Sequence, residues 1–202
     1  MTRPPVLVTA PAALPVSLAS VKAHLRVDHS DDDDTIKTYI EAAVAHLDGY
    51  AGILGRCLVS QAWRQDYDSF SQEMRLPFEA TEVEAITWRN REGQVATVAT
   101  ANYALDADSA GSYVRFQGAY DFPRDLHEAR PVAITFLAGF GVIPSEESSD
   151  PNPVPGPIRS AILLMVGDLY RYRETARPGG TPEVEMSLSV DRLLTPYRRW
   201  SF

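Results

Sequence analysis

Four consecutive aspartates, Asp31 to Asp34, are the densest set of possible metal ligands in the chain. A calcium loop needs alternating carboxylates, a glycine at its turn and a distal bidentate Glu. Consecutive aspartates at a helix start spread their side chains around the axis instead of converging them. The competing reading is the helix start itself. There, unpaired amides and the positive end of the dipole favour negative charge by about 0.3–1 kcal/mol per exposed group. His24, His29 and His46 form no His-x-x-x-His or His-Glu-x-x-His pair, so nothing recruits them as ligands. Cys57 is the single cysteine and reads as a small packed hydrophobe. Glu82 and Glu84 share one face of an expected strand, where solvated carboxylates are a simpler reading than an acid–base pair. The chain contains no G-x-S-x-G, no P-loop and no G-x-G-x-x-G. No catalytic residue, cofactor or metal site is assigned, and a non-enzymatic role is expected. A metal-dependent accessory enzyme built on Asp31–Asp34 and a β-rich ligand-binding module are the alternatives.

The C-terminal end, VDRLLTPYRRWSF (Val190–Phe202), has a different chemistry. Arg192, Arg198 and Arg199 against Asp191 give it a local charge of +2, in a chain whose formal net charge is −8. Leu193, Leu194, Tyr197, Trp200 and Phe202 set large apolar groups among the arginines. Arginine mixed with aromatic residues is the composition of a protein–protein hot spot. As a docking tail, Val190–Phe202 would be removable with the rest still folded. Two other readings remain: a tail folded back on its own core, and arginines that grip nucleic-acid phosphates.

The acidic total weighs against a protein whose main task is gripping a phosphate backbone. An acidic surface would instead let DNA pass without sticking. With 202 residues, 45% hydrophobic and 23% charged, the chain has the composition of one globular domain or two small ones. No apolar run approaches the roughly 20 residues of a membrane helix. The Pro-rich start MTRPPVLVTAPAALPVS is a poor signal peptide, so a soluble intracellular protein is expected.

Those residues must be positioned by an α+β chain. Residues 1–15 read as an extended arm because Pro4, Pro5, Pro11 and Pro15 deny helix. Such an arm frays or lies on a neighbouring subunit. A first helix, capped by Ser17, presents Leu18, Val21 and Leu25, with Lys22 and Arg26 late in it. A second helix, capped by Ser30 or Asp31, carries Ile36, Ile40, Ala43, Val44, Leu47, Ala51 and Leu54 on one face and ends at Gly52 and Gly55. The helical core is set at 16–56 and 155–176. From Leu58 the period becomes alternating, with Val59, Trp63 and Tyr67 on one side. Strands are expected at Met74–Phe78, Val83–Arg89, Val95–Thr100, Tyr103–Leu105, Ser112–Gln117 and Val132–Leu137. Turns fall at Asn90–Gly93 and Asp106–Gly111. This antiparallel β-domain, residues 57–142, is inserted between the helices. Residues 143–154 form a Pro-rich linker, and Pro157 opens a third helix with Ile158, Ile162, Met165, Val166 and Leu169 as its stripe. That stripe should pack on the second helix. Residues 177–202 form the loop and tail.

The ordered set of these pieces resembles the tailed-phage head–tail connector family, in the subfamily with a β-rich insertion between helices. The resemblance runs through Leu18, Lys22, His24, Leu25, Arg26 and Val27, then Asp31–Asp34, Tyr50, Gly52 and Trp63. It continues through PVAITFLAGFG (Pro131–Gly141), PGPIRSAILLMVGDLYRYRE (Pro155–Glu174) and LLTPYRRW (Leu193–Trp200). Ala51–Arg56 departs from it, being longer than the Gly-Arg that usually ends the second helix. The resemblance implies an adaptor of a phage or phage-like gene transfer particle, in a dodecameric homo-oligomeric ring at the head–tail interface. Its implied partners are the portal protein, a tail-side connector or stopper, and DNA passing through the lumen. It further implies portal docking by the terminal segment, here Arg192, Leu193, Leu194, Tyr197, Arg198, Arg199, Trp200 and Phe202.

Overall fold

The computed structural model describes residues 4–145, 151–172 and 187–199. The fold is mixed α+β, with two compact units interleaved along the chain. One takes the described N-terminal residues through Ala12 and Val59–Gly141; the other takes Ala13–Leu58 and the described residues between Val142 and Arg199.

In the helical unit, α1 (Leu18–Leu25) starts where Ser17 Oγ accepts from Ser20 N at 3.2 Å. Such a cap is worth about 1 kcal/mol. The helix stops at Arg26, whose φ of 58° is left-handed, while Val27 N turns back to Lys22 O. Helix α2 (Asp33–Leu47) begins later than expected: Asp32 is its N-cap residue, not Ser30 or Asp31. It buries Ile36, Ile40, Ala43, Val44 and Leu47. It also ends sooner. Asp48 turns extended and its Oδ1 accepts from Leu58 N at 2.6 Å, and Gly49 adopts φ 73°. Residues 49–58 therefore form a folded loop, with Ala51 exposed and Leu54 buried by the loop, not by a helix face. Helix α3 (Gly156–Arg171) has Pro157 in its first turn and buries Ile158, Ala161, Ile162 and Val166. It packs on α1 and α2, as its stripe requires. Met165 is half-buried and Leu169 exposed, so the buried stripe is narrower than the apolar one.

The β-unit has a five-stranded antiparallel sheet. Its strands are β1 (Val6–Thr9), β2 (Gln61–Tyr67), β8 (Val132–Ala138), β4 (Ala80–Arg89) and β5 (Val95–Thr97), in the order β1-β2-β8-β4-β5. The extended arm is thus an edge strand of the chain's own sheet, with Leu7 opposite Trp63. Strand β8 alternates cleanly and buries Val132, Ile134, Phe136 and Ala138. Phe78 links that core to β2, lying 5.0 Å from the Trp63 ring and 6.4 Å from Phe136. A second sheet uses β3 (Glu73–Arg75), β7 (Gly111–Phe116) and β6 (Tyr103–Asp108), in the order β3-β7-β6. The long β7–β8 connection is held by rings: Phe70, Phe116, Tyr120 and Phe122 lie 5.2–6.4 Å from one another. Burial there pushes the Tyr120 phenol above its ordinary pKa.

Across the second sheet, Arg75 on β3 reaches over Tyr113 at 4.9 Å and grips Asp108 on β6, with one contact at 2.6 Å. The guanidinium hydrogen bonds hold the Asp108 carboxyl down to about 2. Its folded pKa lies below the unfolded value, so the clamp contributes fully above about pH 4 and is lost as pH falls toward 2. Protection of the β3 amides, taken relative to their intrinsic exchange rates, should therefore fall over that acid window. The Arg75→Ala variant should be less protected at neutral pH and show no further loss of protection of its own in the window.

Candidate assembly interface

Six of the eight residues proposed for docking, Arg192, Leu193, Leu194, Tyr197, Arg198 and Arg199, sit on a short structured end. Helix α4 (Leu188–Leu194) is capped by Ser187, whose side chain accepts from Ser189 N, and is followed by a single 3-10 turn, Thr195–Tyr197. Helix α4 packs on α3 through Val190 and Leu194, which are 1% and 0% exposed. Arg198 Nη2 meets Asp191 Oδ1 at 2.8 Å, which neutralises part of the local positive charge. Arg199 N donates to Leu54 O at 2.9 Å, so the end of the chain is tied to the 49–58 loop. Over residues 188–199 the segment is folded onto its own core.

This corrects one residue of the docking set. Leu194 belongs to the protein's interior, because the period of α4 turns it with Val190 toward α3. Arg192 is exposed, and Leu193, Tyr197, Arg198 and Arg199 are half-buried. Trp200 and Phe202 lie outside the described residues. The exposed part of this segment is the outer side of α4 and the following turn.

Sequence reasoning missed a second surface. Strand β1 is a sheet edge, yet Val6, Leu7 and Val8 are 44%, 44% and 52% exposed, on both faces of the strand. Exposed apolar edges are usually blunted by charge or proline, and here Pro4, Pro5 and Pro11 flank the strand. The run Val-Leu-Val-Thr was the available signal, masked by those prolines.

The acidic run is engaged inside the helical unit. Lys22 Nζ meets Asp33 Oδ1 at 2.5 Å, Lys37 Nζ meets Asp34 Oδ1 at 3.3 Å, and Tyr170 Oη donates to Asp32 Oδ2. The carboxylates thus diverge toward α1, α2 and α3. Among the described residues no group of three or more His, Cys, Asp or Glu is arranged to hold a metal ion. Glu82 and Glu84 are exposed, and a register irregularity between Val83 and Ala85 breaks the alternation that would have paired them. Cys57 is buried at 3% exposure. No described helix is long and apolar enough to cross a membrane.

Helices α1 and α2, the 49–58 loop and strands β2 to β6 all lie within one recognisable stretch. Residues 15–111 match the family model of the phage gp6-like head-tail connector protein. The connector match ends at Gly111, whereas fold similarity runs on to the C-terminal helices. A solved chain from the neck of an empty GTA particle, computed with C6 symmetry, is similar at TM-score 0.72 and 23% identity, covering 96% of this chain and 94% of that one. A chain from the virion of a native gene transfer agent (GTA) particle gives the same values. One from the neck of the native particle, computed with C12 symmetry, reaches TM-score 0.70 at 24% identity, with the same coverage. At that identity the likeness establishes the fold. No curated protein matches the chain.

Proposed function

We propose that this connector-like protein is a structural adaptor of a tailed phage or gene transfer particle. It forms a ring at the head–tail interface, between the portal and a tail-side connector or stopper, and DNA passes through that ring. The observation that carries the reading is the agreement of fold over 96% of the chain with proteins of a particle neck, joined to the connector match at residues 15–111. Neck reconstructions with C6 and C12 symmetry support a homo-oligomeric ring, taken here as dodecameric. The net charge of −8 suits a lumen that repels phosphates, so DNA slides without sequence-specific binding. The role is structural and not catalytic. The outer side of the C-terminal segment, with Arg192, Leu193, Tyr197, Arg198, Arg199 and the terminal Trp200 and Phe202, docks on the portal.

Deleting the gene should give heads without stably attached tails, and electron microscopy of complemented particles should place the protein as a ring between portal and tail. Normal tailed particles after deletion would overturn the reading. For the docking face, Arg192→Glu should leave thermal unfolding unchanged, because Arg192 is exposed. Co-sedimentation with portal should fall by about tenfold, as expected for an interfacial arginine. Undiminished co-sedimentation would remove Arg192 from the portal contact.

A further inference from the structure

The face of the five-stranded sheet opposite its apolar core carries a shallow groove of about 360 Å³. Cross-strand register sets Arg64 beside Thr135, Asp66 and Thr87 beside Ala133, and Arg89 beside Val95. Small side chains thus make the floor, and arginines stand at its sides. Arg64 Nε is held by Asp66 Oδ1 at 2.9 Å. Arg89 Nη2 donates to Ala129 O at 2.9 Å and Arg130 O at 3.2 Å. Those two bonds brace a strained turn: Arg130 has φ 48° immediately before Pro131. A non-glycine residue in the left-handed region is uncommon, a following proline restricts it further, and such strain concentrates where function demands a fixed geometry. Arg130 is exposed at the groove, and its side chain meets no ion-pair partner among the described residues. Three arginines against one aspartate give this groove a charge of +2 in a chain whose total is −8.

We propose that this groove is a carboxylate-binding site that takes the acidic run Glu146-Glu147-Ser148-Ser149-Asp150 of the adjacent copy in the ring. The proposal rests on the ring reading above. Charge complementarity selects the occupant. Subunits that each carry −8 repel one another, so a closed ring needs local contacts of opposite sign. Of the two dense acidic runs, Asp31–Asp34 is already engaged by Lys22, Lys37 and Tyr170 within its own unit. Glu146, Glu147 and Asp150 make up the other. Strand β8 starts beside the groove and carries the chain away from it. Ala138 lies roughly 17 Å along the strand from Ala133 at about 3.3 Å per residue. Strand β8 therefore leads the chain out of its own groove, which favours a groove on the next copy.

The test uses the full-length protein and a labelled peptide of Ser145–Pro155, measured by fluorescence anisotropy at low and high salt. The expected result is binding at about 1 mM or tighter, weakening several-fold as salt rises. Arg130→Glu should weaken it about tenfold, whereas Arg124→Glu, an exposed charge outside the groove, should not. A peptide carrying Lys at 146, 147 and 150 should bind the Arg130→Glu protein better than wild type, a rescue that mere structural damage would not give. Three outcomes overturn the proposal. The first is no peptide binding either to wild type or to a variant with Glu146, Glu147 and Asp150 neutralised. The second is binding only to that variant, which means that the run occupies its own groove. The third is tighter, Arg130-dependent binding of a short DNA duplex, which makes the groove a phosphate site. None of these touches the adaptor reading, which falls only on the particle phenotype.

Discussion

Leu194→Ala will destabilise the protein by about 2–5 kcal/mol, the range for a fully buried leucine whose cavity does not collapse. Leu194 is 0% exposed and packs with Val190 between α4 and α3. The loss should appear as a lower urea midpoint with an unchanged slope. Truncation at residue 187 should cost more, because it strips Val190 and Leu194 from the α3 surface and removes the Arg199–Leu54 backbone bond. An intact midpoint after truncation would mean that the segment is a removable docking tail after all. The contrast with Arg192→Glu separates the inner side of the segment, which holds the helical unit together, from the outer side proposed to dock on the portal.

Gly139→Ala is expected to cost about 3 kcal/mol or more, through backbone strain and overpacking together. Gly139 has φ 132°, a region that alanine rarely adopts. A Cβ there would stand 2.5 Å from Val59 O, 2.6 Å from Val59 C and 2.8 Å from Ser60 N. These are backbone atoms at the entrance to β2, where Ser60 N also donates to Gly141 O. They cannot yield without disturbing the β2–β8 pairing that centres the sheet. Gly118→Ala is the control: a methyl added there would meet nothing within 4 Å, so its midpoint should stay within about 0.5 kcal/mol of wild type. Chemical denaturation of the pair decides the point. Equal midpoints would mean that β8 does not leave the sheet by this close approach.

Local signals carried the helices and most strands. Ser17 announces the start of α1 because a hydroxyl can satisfy a free amide without help from the rest of the fold. The alternation Val132, Ile134, Phe136, Ala138 announces β8, and Asn90–Gly93 announces the β4–β5 hairpin, for equally local reasons. The end of α2 was not legible. Ala51 and Leu54 continue the apolar spacing, but the helix stops at Leu47 because Asp48 finds a better partner in Leu58 N, ten residues on. The start of α2 moved for a similar reason: Asp32 is drawn to Tyr170 on α3, 138 residues away.

The interface surfaces divide in the same way. Three features were already present in the unfolded chain: a C-terminal stretch that mixes arginine with large apolar groups, the lack of catalytic motifs, and an order of segments that resembles a head–tail connector. Composition, spacing and order are properties of the chain, and they survive without a fold. Folding was needed to fix which side of α4 is interior, to make the N-terminal arm strand β1, and to bring Arg64, Arg89 and Arg130 to one groove. Those three arginines are far apart in sequence and are gathered by the β2-β8-β4 pairing. No local pattern encodes that pairing, because a cross-strand neighbour is set by register.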